Sequence, residues 1–371
     1  MHQKRWTRTA ASTIALLLTL VLLAACGGST SNAPSGTDAA QKPAEQPAAK
    51  PKEVIKLADM QWQSLWINNA VVKFILEKGY GYPVETVEMT TPIMQQAIIK
   101  GDVHVVTEMW TGNIIDWYNE SVSSGKLLDL GIVMDRASQG WYVPAYVVRG
   151  DEKRGIRASA PDLKTVADLK KYPTLFADPE EPSKGLLINC ITGWQCAKIN
   201  RIKLKAYGLD TLYNVQEPGA SAALDAAIAG AYKQGKPFLA YYWEPTWLVG
   251  TYDLILLEEP EFNAECNAEI QKALKDELPL EQVTAKAGCA YENAKVTKAA
   301  HPGLKERAPE VVAFLEKMLI KTDDLNKVSA YMEQEKAEAE DAARYFFQNY
   351  PQVWKSWLPA DVAQKVEAAL K

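Results

Sequence analysis

Histidine is scarce: the 371 residues contain only His2, His104 and His301. His104 lies in an apolar, strand-like run and His301 precedes Pro302, so neither has a catalytic setting. There is no His-Glu-x-x-His segment and no Gly-x-Ser-x-Gly turn, which removes the common zinc and serine hydrolases. Paired carboxylates for glycoside cleavage are the remaining enzymatic alternative, because acidic residues are plentiful. No Gly-Lys-Ser/Thr phosphate loop occurs, so any energy from ATP must come from a partner. Basic charge is also lacking. Lys and Arg number 41 against 46 Asp and Glu, a net charge of -5, which disfavours nucleic acid as a partner. Asp178-Pro179-Glu180-Glu181-Pro182 lacks the Asp-x-Asn-x-Asp-Gly spacing of a calcium loop. No metal site and no cofactor are expected.

Long apolar runs are missing beyond the start of the chain. Lys4, Arg5 and Arg8 precede an apolar run at 14–23, too short for a comfortable membrane span. It ends Leu23-Ala24-Ala25-Cys26-Gly27, small residues before a cysteine. Residues 1–26 therefore read as a lipoprotein signal peptide with Cys26 as the lipidation site; an ordinary secretory signal or an uncleaved anchor is the alternative. Residues 27–53, rich in Ser, Ala, Pro, Gln and Gly, read as a disordered tether. The body is expected on the extracytoplasmic face of a membrane, as a monomer held by its lipid.

Four further cysteines suit an oxidising compartment. Cys190 and Cys196 form the obvious local bridge, which leaves Cys266 with Cys289 by elimination. Zinc is the competing reading, but the spacing matches no common zinc pattern and no histidine is near.

From residue 54 strand and helix patterns alternate. Strands are expected at 54–58, 84–89 and 103–109, and helices at 65–78 and from Thr91-Pro92 to Gly101. This alternation predicts a parallel sheet with helices on both faces and ligands beyond the strand ends. Further strands are expected at 127–133 and 142–148, separated by Ala137-Ser138-Gln139-Gly140-Trp141. A helix at 165–172, a strand at 174–177, an Ala-rich helix at 219–233 and a strand at 238–242 follow. Residues 253–257 are expected to return the chain to the first lobe, and the chain is nearly all helical from 309. The expected α/β architecture is a first lobe of 54–140 and 250–371 and a second lobe of 141–249. Two crossings join them into a hinged clamp with a pocket between.

Aromatic residues are not scarce: there are 11 tryptophans. Trp110, Trp194 and Trp243 each follow a probable strand and stand beside turn residues. Indole faces attract organic cations by roughly 0.5–2 kcal/mol per contact. Trp62 and Trp141 are candidates for further walls, and Trp66 is a weaker one. A helix-like run at 197–207 follows the ring, placing the N–H groups of Gln195 and Cys196 at a helix N-terminus suited to an anion. Glu108 shares a strand face with Trp110, and Glu244 adjoins Trp243. Carboxylates there favour a cation, or could donate a proton to an N-oxide if their pKa is raised. The alternative is that both pair with surface lysines.

Trp110-Thr111, the ring Cys190-Ile191-Thr192-Gly193-Trp194-Gln195-Cys196, and Tyr241-Tyr242-Trp243-Glu244-Pro245-Thr246-Trp247 together resemble three segments of the glycine betaine/proline betaine substrate-binding proteins of ABC importers. Ala137-Ser138-Gln139-Gly140 and the C-terminal helices are also similar to that family. The resemblance implies a type II periplasmic-binding-protein fold and an aromatic box of Trp110, Trp194 and Trp243. It also implies that the Gln195 and Cys196 backbone holds a ligand carboxylate, and that the partners are a membrane permease and its cytoplasmic ATPase. The sequence departs from the family at Thr111-Gly112-Asn113-Ile114-Ile115, where relatives carry a histidine, and at Gln195, where they carry glycine. Choline and trimethylamine N-oxide are therefore alternatives to glycine betaine. A secreted hydrolase and a sugar-binding lipoprotein are the competitors from other classes.

Overall fold

The structure, a computed structural model, describes residues 52–292 and 295–371. Cys26, the signal expected at 1–26 and most of the tether at 27–53 lie outside the described residues.

Runs of β-branched and apolar residues build two five-stranded sheets. The first contains β1 (Ile55–Asp59), β2 (Val84–Glu88), β3 (Val105–Trp110), β4 (Leu128–Ile132) and the late strand β10 (Val296–Ala300), in the order β2-β1-β3-β10-β4. The second contains β5 (Ser138–Pro144), β6 (Gly185–Ile188), β7 (Tyr213–Gln216), β8 (Leu239–Glu244) and β9 (Leu254–Leu256), in the order β7-β6-β8-β5-β9. β1 runs parallel to β2 and β3, while β10 is antiparallel to β3 and β4. In the second sheet β6 is parallel to β7 and β8, and β5 is antiparallel to β8 and β9. Both sheets are therefore mixed, parallel only where a helix makes the crossover.

The early helices are α1 (Gln63–Phe74), α2 (Thr91–Lys100) and α3 (Ile115–Ser123). Those of the second lobe are α4 (Ala145–Arg149), α5 (Gln195–Ala206), α6 (Ser221–Lys233), α7 (Trp247–Thr251) and α8 (Ala264–Lys275). After β10 come α9 (Gly303–Arg307), α10 (Pro309–Lys317), α11 (Thr322–Gln334), α12 (Ala339–Asn349), α13 (Pro351–Lys355) and α14 (Ala360–Ala369). One apolar core joins β1, β3 and β10 to these late helices through Leu57, Val71, Phe314, Phe346 and Trp354. A second extends from the cleft into the second lobe through Trp141, Leu187, Leu224 and Leu239.

Four local expectations are corrected. Residues 138–141 belong to β5, paired with 241–244 of β8, and 145–149 is helix rather than strand. The backbone of β5 finds partners on both sides, β8 and β9, which outweighs the turn-like look of Ser138-Gln139-Gly140. Residues 174–177 are not a strand; Pro173 opens a 3-10 turn, Pro173–Phe176. Leu254–Leu256 does not return the chain to the first sheet but forms the edge of the second beside β5. The return is made just before β10. Gly79 does not stop its helix either. α1 continues into a wider turn, Ile75–Tyr80, and a Cβ at Gly79 would lie 2.8 Å from Cγ1 of Val362. Glycine there lets α14 pack closely.

Cys190 is bonded to Cys196 and Cys266 to Cys289. The first bridge closes the ring before α5; the second ties α8 to the turn at Ala285–Ala287. Both pairs use their thiolates in disulfides, which removes the zinc alternative.

Candidate ligand-binding cleft

The cleft is built on the carboxyl ends of strands from both sheets, where side chains leaving a strand meet the start of a helix. β3 delivers Glu108 and Trp110 from one face, two residues apart. The turn after β1 delivers Trp62, the residue that precedes α1. Glu108 is fully buried, at 0% exposure. Its Oε1 accepts hydrogen bonds from Nε1 of Trp62 at 2.8 Å, Nε1 of Trp110 at 3.0 Å and Oγ of Ser64 at 2.9 Å. Its Oε2 accepts from Nδ2 of Asn68 at 2.9 Å. One carboxyl group thus orients two indoles. Burial raises the Glu108 pKa above the ordinary carboxylate range, opposed by the four donors. A carboxylate has about four lone-pair positions. With three donors crowded on Oε1 and one on Oε2, a position on Oε2 remains for a proton.

The second lobe contributes the ring. Gly193 has φ of 95°, and a Cβ there would lie 2.8 Å from Cγ2 of Thr90, so only glycine lets the ring lie against the first lobe. Its carbonyl accepts from the Thr91 N–H at 3.2 Å. Trp194 precedes α5, and its Nε1 donates to the Met60 carbonyl at 2.7 Å. These bonds join the lobes, and the cleft is closed. The Trp194 ring stands edge-on to Trp62 at 5.5 Å and to Trp243, from β8, at 5.2 Å. Tyr241 stacks behind Trp243 at 6.2 Å.

The resulting cavity, about 510 Å³ when the solvent space it opens into is included, is lined by Trp62, Trp110, Trp194, Trp243, Tyr241 and Glu108, with Thr91, Asn113, Gln195, Cys196 and several apolar side chains. Among the described residues, Glu108 is the one carboxylate in that lining, and no lysine or arginine joins it. Gln195 and Cys196 occupy the first two positions of α5, where helix N–H groups lack intrahelical partners. The arrangement therefore offers indole faces and a buried carboxyl to a cationic head, and helix N–H groups to an acceptor beside it.

Of the sequence candidates, Trp62, Glu108, Trp110, Trp194, Gln195, Cys196 and Trp243 meet in this cavity. Trp141 and Glu244 do not. Trp141 is completely buried deeper in the second lobe, its Nε1 on Oδ1 of Asn200 at 3.0 Å and its ring edge-on to Tyr207. Glu244 follows Trp243 on a strand, and neighbouring strand residues face opposite ways. Its carboxylate meets Arg136 at 3.3 Å and Asn326 at 3.1 Å. Trp66 likewise turns away, its Nε1 on Asp59 at 3.0 Å. Sequence reasoning missed Tyr241, Asn113, Met60 and Met94. The spacing of two between Tyr241 and Trp243 was a usable signal; Asn113, in an irregular turn, gave none.

The profile of the family described as the substrate binding domain of ABC-type glycine betaine transport systems matches residues 53–349. The chain is 24% identical over 310 residues to the trimethylamine N-oxide-binding protein of Pelagibacter ubique (strain HTCC1062), covering 83% of this chain and 91% of that one. It is 25% identical over 313 residues to the glycine betaine-binding periplasmic protein OusX of Dickeya dadantii (strain 3937), covering 83% and 85%. Among solved structures it resembles the glycine betaine, L-proline ABC transporter binding protein (ProX) from Borrelia burgdorferi, with a TM-score of 0.64 at 19% identity over 84% of this chain and 99% of that one. At that identity the likeness establishes the fold, the type II periplasmic-binding-protein arrangement of two α/β lobes.

Proposed function

The chain belongs to the family of substrate-binding domains of ABC-type glycine betaine transport systems, and we propose that its own ligand is a small, fully methylated amine whose cationic head sits among Trp62, Trp110, Trp194 and Trp243. The observation that carries this reading is a cavity walled by indoles around one buried carboxyl, with no cationic side chain among the described residues of its lining. A methylated nitrogen has no N–H to donate, so aromatic faces are what recognise it. A sugar would need several free polar side chains around its ring; beside the indoles the lining offers Thr91, Glu108, Asn113 and Gln195, and the Tyr241 hydroxyl is already bonded to Gln139. The protein acts as a binder rather than an enzyme. It presents its ligand to a membrane permease driven by a cytoplasmic ATPase. It works as a monomer on the extracytoplasmic face, held there through a lipid on Cys26.

Within this ligand class, Glu108 favours trimethylamine N-oxide, the ligand named for the Pelagibacter relative. Burial favours the protonated carboxyl, and a protonated Oε2 would donate to the N-oxide oxygen. Glycine betaine is the second reading, favoured by the Gln195 and Cys196 N–H groups at the start of α5, which suit a carboxylate.

Titration of the protein's tryptophan fluorescence with trimethylamine N-oxide, glycine betaine and choline tests this. A saturable response to at least one is expected, with trimethylamine N-oxide binding most tightly. Trp194→Ala should abolish the response while the far-UV circular dichroism stays the same. No response to any of the three, or full affinity in Trp194→Ala, would contradict the box.

A further inference from the structure

The box walls come from two lobes, and one side chain at the first crossing touches both. Gln139 is the second residue of β5, the strand that starts the second sheet, and it lies directly opposite Trp243 in register. Its side chain is buried, at 6% exposure, yet the cleft lining does not include it. Its Nε2 donates to Oδ1 of Asn113 at 3.1 Å, and Nδ2 of Asn113 donates back to its Oε1 at 3.4 Å. The same Oε1 accepts from the Tyr241 hydroxyl at 2.8 Å. Asn113 stands in the turn that follows Trp110 in the first lobe, and Tyr241 precedes Trp243 by two residues in the second. Both line the cleft.

We propose that Gln139 is a positioning residue that sets ligand affinity: its amide couples Asn113 to Tyr241, so closing the lobes and assembling the box are a single event. The inference rests on the cleft being the ligand site. Its physical basis is the pairing of amides. Asn113 and Gln139 satisfy each other's donor and acceptor, and the shared Oε1 leaves the Tyr241 hydroxyl a partner in a water-poor site. When the lobes part, Asn113 moves away with the first lobe and the pair is lost. Behind Gln139 a solvent-open hollow, bordered by Ser138, Glu259 and Tyr291, gives the side chain room to turn away and be hydrated. The two Asn113–Gln139 bonds therefore stabilise the closed form alone and act on the rate of ligand release, while the Tyr241 bond, made within the second sheet, persists when the lobes part.

The affinity test uses three proteins: wild type, Gln139→Met, and the exchanged pair Asn113→Gln with Gln139→Asn, which keeps two amides of the same summed length. Affinity and stopped-flow kinetics are read with trimethylamine N-oxide, glycine betaine and choline. Gln139→Met should lower affinity roughly ten-fold, the size expected for two lost hydrogen bonds, with the change in dissociation rate. Because Gln139→Met also strips the Tyr241 hydroxyl of its acceptor, stability is read in a Tyr241→Phe background, where Gln139→Met should leave the ligand-free unfolding midpoint the same; the exchanged pair should recover most of the affinity. Unchanged affinity in Gln139→Met, or a loss that follows a lowered ligand-free midpoint in that background, would overturn the proposal. If wild type binds none of the probes, the ligand reading fails instead. The distance between labels on the two lobes of the ligand-free protein then decides. A broader distribution in Gln139→Met than in wild type supports the coupling, and identical distributions refute it.

Discussion

Glu108 is where sequence and structure meet most closely at the scale of a residue. Its spacing of two from Trp110 put both on one strand face, and both do enter the cleft, joined by a hydrogen bond of 3.0 Å. The same period-two rule excludes Glu244, an immediate neighbour of Trp243, which lies 3.3 Å from Arg136. Adjacency along the chain was a poor guide; parity along the strand was a good one. What the sequence could not reveal is that Trp62 and Trp110 share one carboxylate oxygen, because that depends on how β1 and β3 lie side by side. The raised pKa of Glu108 gives a prediction. A protonated Glu108 donates to an N-oxide, so affinity for trimethylamine N-oxide should strengthen as pH falls toward that raised pKa. Affinity for choline, which needs the carboxylate, should weaken over the same range. Glu108→Gln keeps a neutral donor. It should bind trimethylamine N-oxide within several-fold of wild type, bind choline at least ten-fold more weakly, and lose the pH dependence of both. Calorimetric affinities at several pH values check this, and parallel pH profiles in wild type and variant would contradict it.

At the scale of elements, long and strongly patterned segments were readable and short ones were not. β8 announces itself as an apolar run ending in a tryptophan turn, and α2 by Pro92 near its start and Gly101 at its left-handed end. β10 was invisible because its middle residue is Lys298. That side chain is buried, and its ammonium donates to the carbonyls of Gly131, Ile132 and Met318, a use of lysine that no local pattern signals. β9 has only three residues, and its sheet depends on the long-range choice to pair with β5. The packing of α6 against β8 and α7 carries a prediction. Asp225 of α6 accepts from the Tyr242 hydroxyl at 2.7 Å and from Nε1 of Trp247 at 3.2 Å. Burial pushes its pKa up to about 6, with Glu333 adding to the rise. The unfolded value is about 3.9, so between about pH 4 and 6 the folded protein holds the proton more firmly. The stabilisation is complete below about pH 4 and lost as pH rises through about 6. Asp225→Asn should flatten that decline, worth on the order of 3 kcal/mol. Urea unfolding from pH 4 to 7 measures it, and an equal slope in the variant would assign the decline to other groups.

At the scale of the whole molecule, two mixed sheets meet across a closed cleft, with the ring turn seated on the first lobe through Thr91 and Met60. α11 packs on α1 in the first lobe and on α7 in the second, so the late helices back both halves of the clamp. The clamp was legible in the sequence as two runs of alternating strands and helices. The place of the return crossing was not, because it follows from which sheet claims β9. The central claim is that the lobes close around a methylated, positively charged nitrogen, rather than around any apolar group of that shape. Small-angle X-ray scattering of the protein with trimethylamine N-oxide, and with its uncharged carbon analogue tert-butanol at the same concentration, tests this most directly. The account predicts that the N-oxide, with its formally positive nitrogen, contracts the protein and tert-butanol leaves it unchanged. Equal contraction by both, or by neither, would contradict it.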